Sequence, residues 1–208
     1  PLAQAAGERA RVLVSWARHL DDVREAQRLR HRVFAREMGA RLLTTLPGYD
    51  VDRFDDYCEH LIARDGLQGR VIGTYRVLTP AQAARAGGGY MDGEFDLSVL
   101  RGIHGGLVEL GRACVHPQHR HGTVLLAMWR ALAQFLARNR LDVMVGCASL
   151  PLGGLGPQQL SAAAAACAPL MARGDASHGS WRVRPRVPLP LTDVHAGPTL
   201  AAEPLPAL

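Results

Sequence analysis

Lysine is missing from this chain: all 24 basic residues among its 208 are Arg. Beside abundant Ala and Gly, that pattern reads first as the codon bias of a GC-rich genome. The net charge of +5 is therefore little argument for a nucleic-acid partner. Aromatics are scarce at 5% and do not interleave with the basic residues, so the stacking platform of single-strand binders is lacking. The cysteines, Cys58, Cys114, Cys147 and Cys167, form no Cys-x-x-Cys pair, which argues against a zinc ribbon or a disulfide scaffold and fits a reducing compartment. The longest Ala/Leu-rich stretch, around Leu160 to Ala172, is broken by Pro169 and is too short to span a bilayer. No signal peptide is visible, and a chain that begins at Pro1 implies a trimmed start.

What is present is 48% apolar and 21% charged residue content, the balance of a soluble globular protein with a real core. Val12, Val14 and Trp16 alternate as in a strand. The spacing of Val23, Ala26, Leu29, Val33, Phe34 and Met38 predicts an amphipathic helix, capped by Asp21 or Asp22 and closed by Gly39, with Arg24, Arg28, Arg32 and Arg36 on its other face. Residues 41–57 hold Pro47, Gly48 and several Asp without a period, the pattern of an ordered loop that closes over something. A hairpin is expected over 59–65 and 69–79, a short helix over 80–86, a glycine loop at 87–89, and a buried strand over 107–115. A turn at 116–122, a helix over 123–139, a strand over 141–148, a helix over 157–172 and a last strand around Trp181, Val183 and Val187 complete the order. This is one mixed α/β layer architecture without internal repeats. We expect a disordered lead-in over 1–10, one domain over 11–190, and a Pro-rich tail over 191–208 followed by a missing segment.

The segment from Val108 to Gly122 is the most informative. A strand that runs through a Gly-containing turn into a helix sets free N–H groups and a positive helix end together, the makings of a phosphate site, here with Arg120 added. By itself this is also an ordinary strand-to-helix connection. With the order of elements, however, it resembles the GNAT superfamily of N-acyltransferases, which implies a single mixed, largely antiparallel twisted sheet flanked by helices. The turn departs from the usual phosphate loop, because Gly122 stands two residues after Arg120, and Val124 and Leu125 fill places where small residues admit a coenzyme A pyrophosphate. An acyl carrier protein, which offers the single phosphate of its phosphopantetheine arm, suits such a turn better. Val115, Arg120, Gly122 and Thr123 would bind it.

A narrower resemblance covers about residues 20–150. Leu29-Arg30-His31-Arg32-Val33-Phe34, residues 52–57, Val71-Ile72-Gly73-Thr74-Tyr75-Arg76-Val77-Leu78 and Glu109-Leu110-Gly111-Arg112 resemble successive blocks of the acyl-homoserine-lactone synthases. Gly111-Arg112-Ala113-Cys114-Val115-His116-Pro117, Leu126-Ala127-Met128-Trp129 and Gly146-Cys147-Ala148-Ser149-Leu150-Pro151 look closer to the bacterial ornithine-acyl carrier protein N-acyltransferases. That likeness implies transfer of a (3-hydroxy) fatty acyl group from acyl carrier protein to the α-amine of ornithine or a similar amino acid, giving a lyso-aminolipid. No cofactor or metal is implied beyond the acyl-phosphopantetheine of the donor. The partners implied are acyl carrier protein, the amino acid and a transient membrane surface, without nucleic acid. The expected location is the cytoplasm, at the periphery of the inner membrane.

Amide formation from a thioester needs a neutral amine, a group to take its proton and donors for the oxyanion. Glu109, on a strand expected to be buried, is the candidate base, with a pKa that burial would raise; it could instead pair with Arg76 or Arg112. Arg112 and Ser149 complete the catalytic candidates, and a simple strand-end cap is the other reading of Ser149. Asp50, Asp52, Asp55, Asp56 and Glu59 are expected to form a negative patch for a cationic acceptor, with Asp52, Asp55 and Asp56 as binding residues and Arg76 or Arg112 as fork for its carboxylate. A solvated acidic loop is the alternative. The resemblance adds Arg30 and Phe34 to the site, although Phe34 also suits the core. His116, His119 and His121 are close in sequence, but a turn scatters their directions, and Cys114 and Cys147 read as small hydrophobes. The rival functions are an acyl-homoserine-lactone synthase using S-adenosylmethionine and a non-catalytic module binding acyl carrier protein or membrane. Residues 1–109 hold 15 Arg and 15 acidic residues, whereas residues 110–208 hold nine and four. The excess charge therefore lies beyond the strand of Glu109.

Overall fold

In chain order the elements are β1 (Val12–Trp16), α1 (Leu20–His31) continued by a π-turn (Arg32–Glu37), β2 (Glu59–Asp65), β3 (Val71–Leu78), α2 (Pro80–Arg85), α3 (Met91–Glu94), β4 (Phe95–Asp96), β5 (Leu107–Val115), α4 (Thr123–Asn139), β6 (Val143–Gly146) and β7 (Arg184–Pro185). They come from a computed structural model that describes residues 12–100, 102, 106–149 and 183–188. The expected lead-in, the helix over 157–172, Trp181 and the tail over 191–208 lie outside the described residues. The chain divides into two compact units, Pro1–Gly89 with Gly105–Cys147 and Ala207–Leu208, and Tyr90–His104 with Ala148–Pro206.

The first unit is built on a five-stranded sheet of order β1-β2-β3-β5-β6, antiparallel except for the last, parallel pair. Side chains alternate across it. One face presents Leu61, Ala63 and Val77 to Val124, Met128 and Leu132 of α4, all of them buried. Each of the larger side chains contributes about 1.5–3 kcal/mol by leaving water. The helix comes so close that a Cβ on Gly73 would stand 2.8 Å from Val124 Cγ1. The opposite face takes α1, through Leu29 and Val33 against Cys114. In the second unit, β4 pairs with β7 through Phe95 with Pro185 and Asp96 with Arg184.

The architecture expected of the sequence forms, with differences of detail. The first helix starts two or three residues earlier than its acidic cap implied: His19 is the cap, and Asp22 reaches back to accept from Arg18 N at 2.9 Å. Its last turn is a π-turn, closed by Met38 N donating to Val33 O at 3.0 Å, after which Gly39 takes φ +70°. The strand expected over 141–148 shrinks to β6, because Gly146 is already the last residue paired with β5. β5 is half-buried over most of its length rather than buried, since β3 runs beside it only from Glu109 to Val115 and β6 only from Leu107 to Leu110.

Candidate active site

The loop over residues 41–57 is drawn onto the sheet by arginines. Asp50 N donates to Gln27 O of α1 at 3.1 Å, and Asp52 turns the chain by accepting from Phe54 N at 2.8 Å. From α1, Arg30 sends its Nε to Asp50 Oδ2 at 2.9 Å and its Nη2 to Asp55 Oδ2 at 2.8 Å and to the Asp50 carbonyl. From β3, Arg76 Nη1 reaches Asp52 Oδ1 at 2.6 Å and Asp55 Oδ1 at 3.1 Å. From β5, Arg112 Nη2 donates to Asp52 Oδ2 at 3.1 Å, and its Nε lies 3.0 Å from Asp50 Oδ2. Arg112 can reach them because Thr74 pairs with Cys114 while Arg76 pairs with Gly111, so two residues of β5 face one of β3. This bulge puts Arg112 at φ 52°, a conformation that non-glycine residues rarely adopt.

Three arginines thus meet three aspartates, and their charges cancel. The expected negative patch does not form: Asp50, Asp52 and Asp55 face cations, Asp56 is exposed, and Glu59 accepts from Gln82 Nε2 at 3.0 Å. Burial alone would raise the pKa of Asp55. The hydrogen bond and charge of Arg30, with the charge of Arg76, outweigh burial and hold it at about 2. Burial also pushes down the pKa of His60, whose Nε2 lies 3.0 Å from the Asp55 carbonyl.

Beside this lattice lies a small, shallow recess lined by Phe54, Cys58, Arg76, Leu78, Glu109 and Gly111. Glu109 is half-buried on β5, opposite Leu78 on one side and Val145 on the other. β6 stays with β5 only from Leu107 to Leu110, and a Cβ on Gly146 would sit 2.9 Å from the Leu110 carbonyl. The two strands part directly after Glu109 and Leu110. Burial pushes the Cys58 and Cys114 thiols up to about 12, so neither supplies a thiolate nucleophile at neutral pH. Phe34 packs at half burial with the Leu29, Val33 and Cys114 cluster instead of lining the recess, and Ser149 is exposed in the second unit.

At the far end of β5, His116 opens a short 3-10 turn, and Gly122 at φ +88° starts α4 without a side-chain cap. Arg120 is exposed; its Nε donates to Val115 O at 3.1 Å and its Nη2 to Glu37 Oε2 at 2.8 Å. Thr123, the first helical residue, is exposed. Arg32 Nη1 lies 2.9 Å from His116 Nε2, Arg28 Nε donates to Tyr49 Oη at 2.8 Å, and Arg24 Nη1 lies 3.7 Å from Asp21 Oδ1, so three of the four arginines expected on the outer helical face are engaged. The ring centroids of His116 and His119 are 5.6 Å apart and those of His119 and His121 6.4 Å. Among the described residues no group of three His, Cys, Asp or Glu side chains is arranged to hold a metal ion. Sequence reasoning missed Glu37, whose partner lies 83 residues away, and Cys58 and Leu78, whose place at the recess has no local signal.

The chain is similar to known proteins. The family described as acetyltransferase (GNAT) domain matches residues 29–130. An L-ornithine N(alpha)-acyltransferase of Rhodobacter capsulatus is 38% identical over 140 residues, which are 64% of this chain and 54% of that protein. Another of that name, from Brucella abortus, is 38% identical over 136 residues, 61% and 48% of the two chains. The chain spans about half the length of these curated relatives. Among solved structures, a CoA-dependent acyl-homoserine lactone synthase, BjaI, determined with SAM and isopentyl-CoA, superposes with a TM-score of 0.54. That match covers 74% of this chain and 72% of the other at 23% identity, and is a likeness of fold.

Proposed function

Because the chain belongs to the GNAT family, whose domain its residues 29–130 match, we propose that it is an N-acyltransferase that moves a (3-hydroxy) fatty acyl group from acyl carrier protein to the α-amine of ornithine or a similar amino acid. What carries this reading is one juxtaposition: β5 and β6 part directly beside Glu109, on the strand that leads to the turn of Arg120. A pantetheine arm lying between the parted strands would bring its thioester to Glu109 while its phosphate reached Val115, Arg120, Gly122 and Thr123. The relatives named L-ornithine N(alpha)-acyltransferase support the choice of acceptor.

In this mechanism the α-amine attacks the thioester carbonyl carbon, the C–N bond forms, and the C–S bond breaks. Glu109 takes the amine proton, directly or through a water, and the pantetheine thiolate leaves. β6 pairs with β5 only as far as Leu110, so Gly111, which lines the recess, is where the backbone of β5 would meet the arm and the developing oxyanion. Arg112 and Asp52, whose side chains are 25% and 20% exposed, are the members of the lattice that solvent reaches. Arg112 would fork the acceptor carboxylate, and Asp52 would draw its second, cationic amine. Arg30, Asp55 and Arg76 lie deeper and position these two. The product is an amphiphile, which places the reaction near a membrane surface; among the described residues no helix is long and apolar enough to cross a membrane.

The test offers an acyl carrier protein thioester with ornithine, glycine and S-adenosylmethionine in turn and identifies products by mass. Acylated ornithine is expected, and Glu109→Gln should cut turnover at least about 100-fold while the protein stays folded. Lactone formation from S-adenosylmethionine would instead assign a homoserine-lactone synthase. Carrier binding without any product would assign a non-catalytic module, and a fully active Glu109→Gln would remove the base.

A further inference from the structure

The cation of the phosphate turn already has an anion on it. Arg120 donates from both Nη atoms to the two carboxylate oxygens of Glu37, a bidentate fork, while its Nε is fixed by the Val115 carbonyl. Glu37 is the last residue of the π-turn, whose closing bond from Met38 to Val33 spans five residues instead of four. Such turns interrupt α-helices mostly at functional sites, because the extra residue re-aims side chains. Here the aim is across the molecule, onto a turn 83 residues away in sequence. The hydrogen bond from Arg120, and then its charge, hold the Glu37 carboxyl below its usual range, so it is an anion at any working pH.

The surroundings invite a stronger anion than a carboxylate. After burial, the charges of Arg32, Arg120 and Arg70 depress the pKa of His116, so three guanidinium groups surround this turn. α4 opens on Gly122 with no side chain to cap its first N–H groups. The Arg120 and Glu37 side chains are 33% and 37% exposed, so parting them is cheap compared with parting a buried pair.

We infer that Glu37 is a placeholder for the donor's phosphate: its carboxylate fills the seat on Arg120 in the free protein and gives it up to the phosphodiester of the pantetheine arm when the donor docks. This rests on reading the turn as the phosphate site of an acyltransferase. The exchange makes Glu37 a specificity-determining residue. A solitary anion must displace a bidentate carboxylate unaided, whereas an arm delivered by a docked carrier arrives at high effective concentration and displaces it readily.

Calorimetric titration with 4′-phosphopantetheine tests the exchange on the wild-type chain, Glu37→Gln, Arg120→Ala and the double variant, each checked for cooperative thermal unfolding. Glu37→Ala serves as a second neutral variant. Removing the placeholder should tighten binding about fivefold, and the same substitution should do nothing once Arg120 is gone. A Glu37 that merely supported Arg120 would weaken binding when removed, which overturns the inference. If Arg120→Ala weakens binding but neither neutral variant tightens it, the phosphate turn stands and the placeholder falls. If Arg120→Ala binds as the wild type does, or no variant binds, the reading of the turn fails and takes the placeholder with it.

Discussion

The same chemistry, arginine on carboxylate, is used twice, beside the bulge of β5 and in the turn that follows β5, and to opposite effect. At the lattice, the Arg30 side chain is 0% exposed and its partners Asp50 and Asp55 are 3% and 4% exposed. At the phosphate turn, Arg120 and Glu37 are 33% and 37% exposed. A buried ion that loses its partner keeps its desolvation cost, so the lattice behaves as a fixture once it has formed. An exposed ion that loses its partner is rehydrated, so the outer pair can be exchanged. Burial, more than geometry, separates a frame that aims Arg112 and Asp52 from a seat that another anion can take.

The widest difference should appear on deleting one cation from the lattice. Arg30→Ala leaves Asp50 and Asp55 buried without the guanidinium that serves both, and the expected loss is about 3–5 kcal/mol of unfolding free energy in urea titrations. Arg30→Lys keeps the charge but loses the fork, and should fall between that variant and wild type. A loss below about 1 kcal/mol for Arg30→Ala would place the lattice in the same class as the outer pair.

The strands and helices that carry this contrast were readable from the chain, whereas the charge pairs that make it were not, for a physical reason. Periodicity located β5 and α4 because each follows one clean repeat, and the glycine at 122 marked the turn between them. The acidic loop misled: Asp50, Asp52 and Asp55 look like a negative patch when neighbours in sequence are counted, yet their partners Arg30, Arg76 and Arg112 come from three other elements. The bulge that lets Arg112 in depends on a register between β3 and β5 that no local pattern encodes. Phe34 illustrates the converse, since its helical spacing suits a core position, and it packs with the α1 cluster. Glu37 was overlooked because a lone acid at a helix end is ordinary until its long-range partner is known.

Acid should separate the two regions next. Asp55 has a folded pKa of about 2 against an ordinary 3.8. Its contribution is therefore present above pH 3.8 and is lost as pH falls toward 2. That depression corresponds to about 2 kcal/mol. As pH drops through this window, stability should fall with a slope approaching one extra proton bound on unfolding, and Asp55→Asn, less stable at neutral pH, should show a correspondingly flatter fall. An unchanged slope in Asp55→Asn would mean that Arg30 and Arg76 do not hold this carboxyl as their geometry implies.

The smallest effect is the most discriminating. Arg120→Ala should change unfolding free energy by less than about 1 kcal/mol, because the freed Glu37 carboxylate is already partly in water. Raising salt to about 1 M, where the screening length falls to about 3 Å, should shrink even that difference while leaving the cost of Arg30→Ala nearly unchanged. A seat that exchanges one anion for another cannot also be a main support of the fold. If Arg120→Ala cost as much as Arg30→Ala and ignored salt, Glu37 would be structural, and the lattice and the turn would be one frame instead of a frame and a seat.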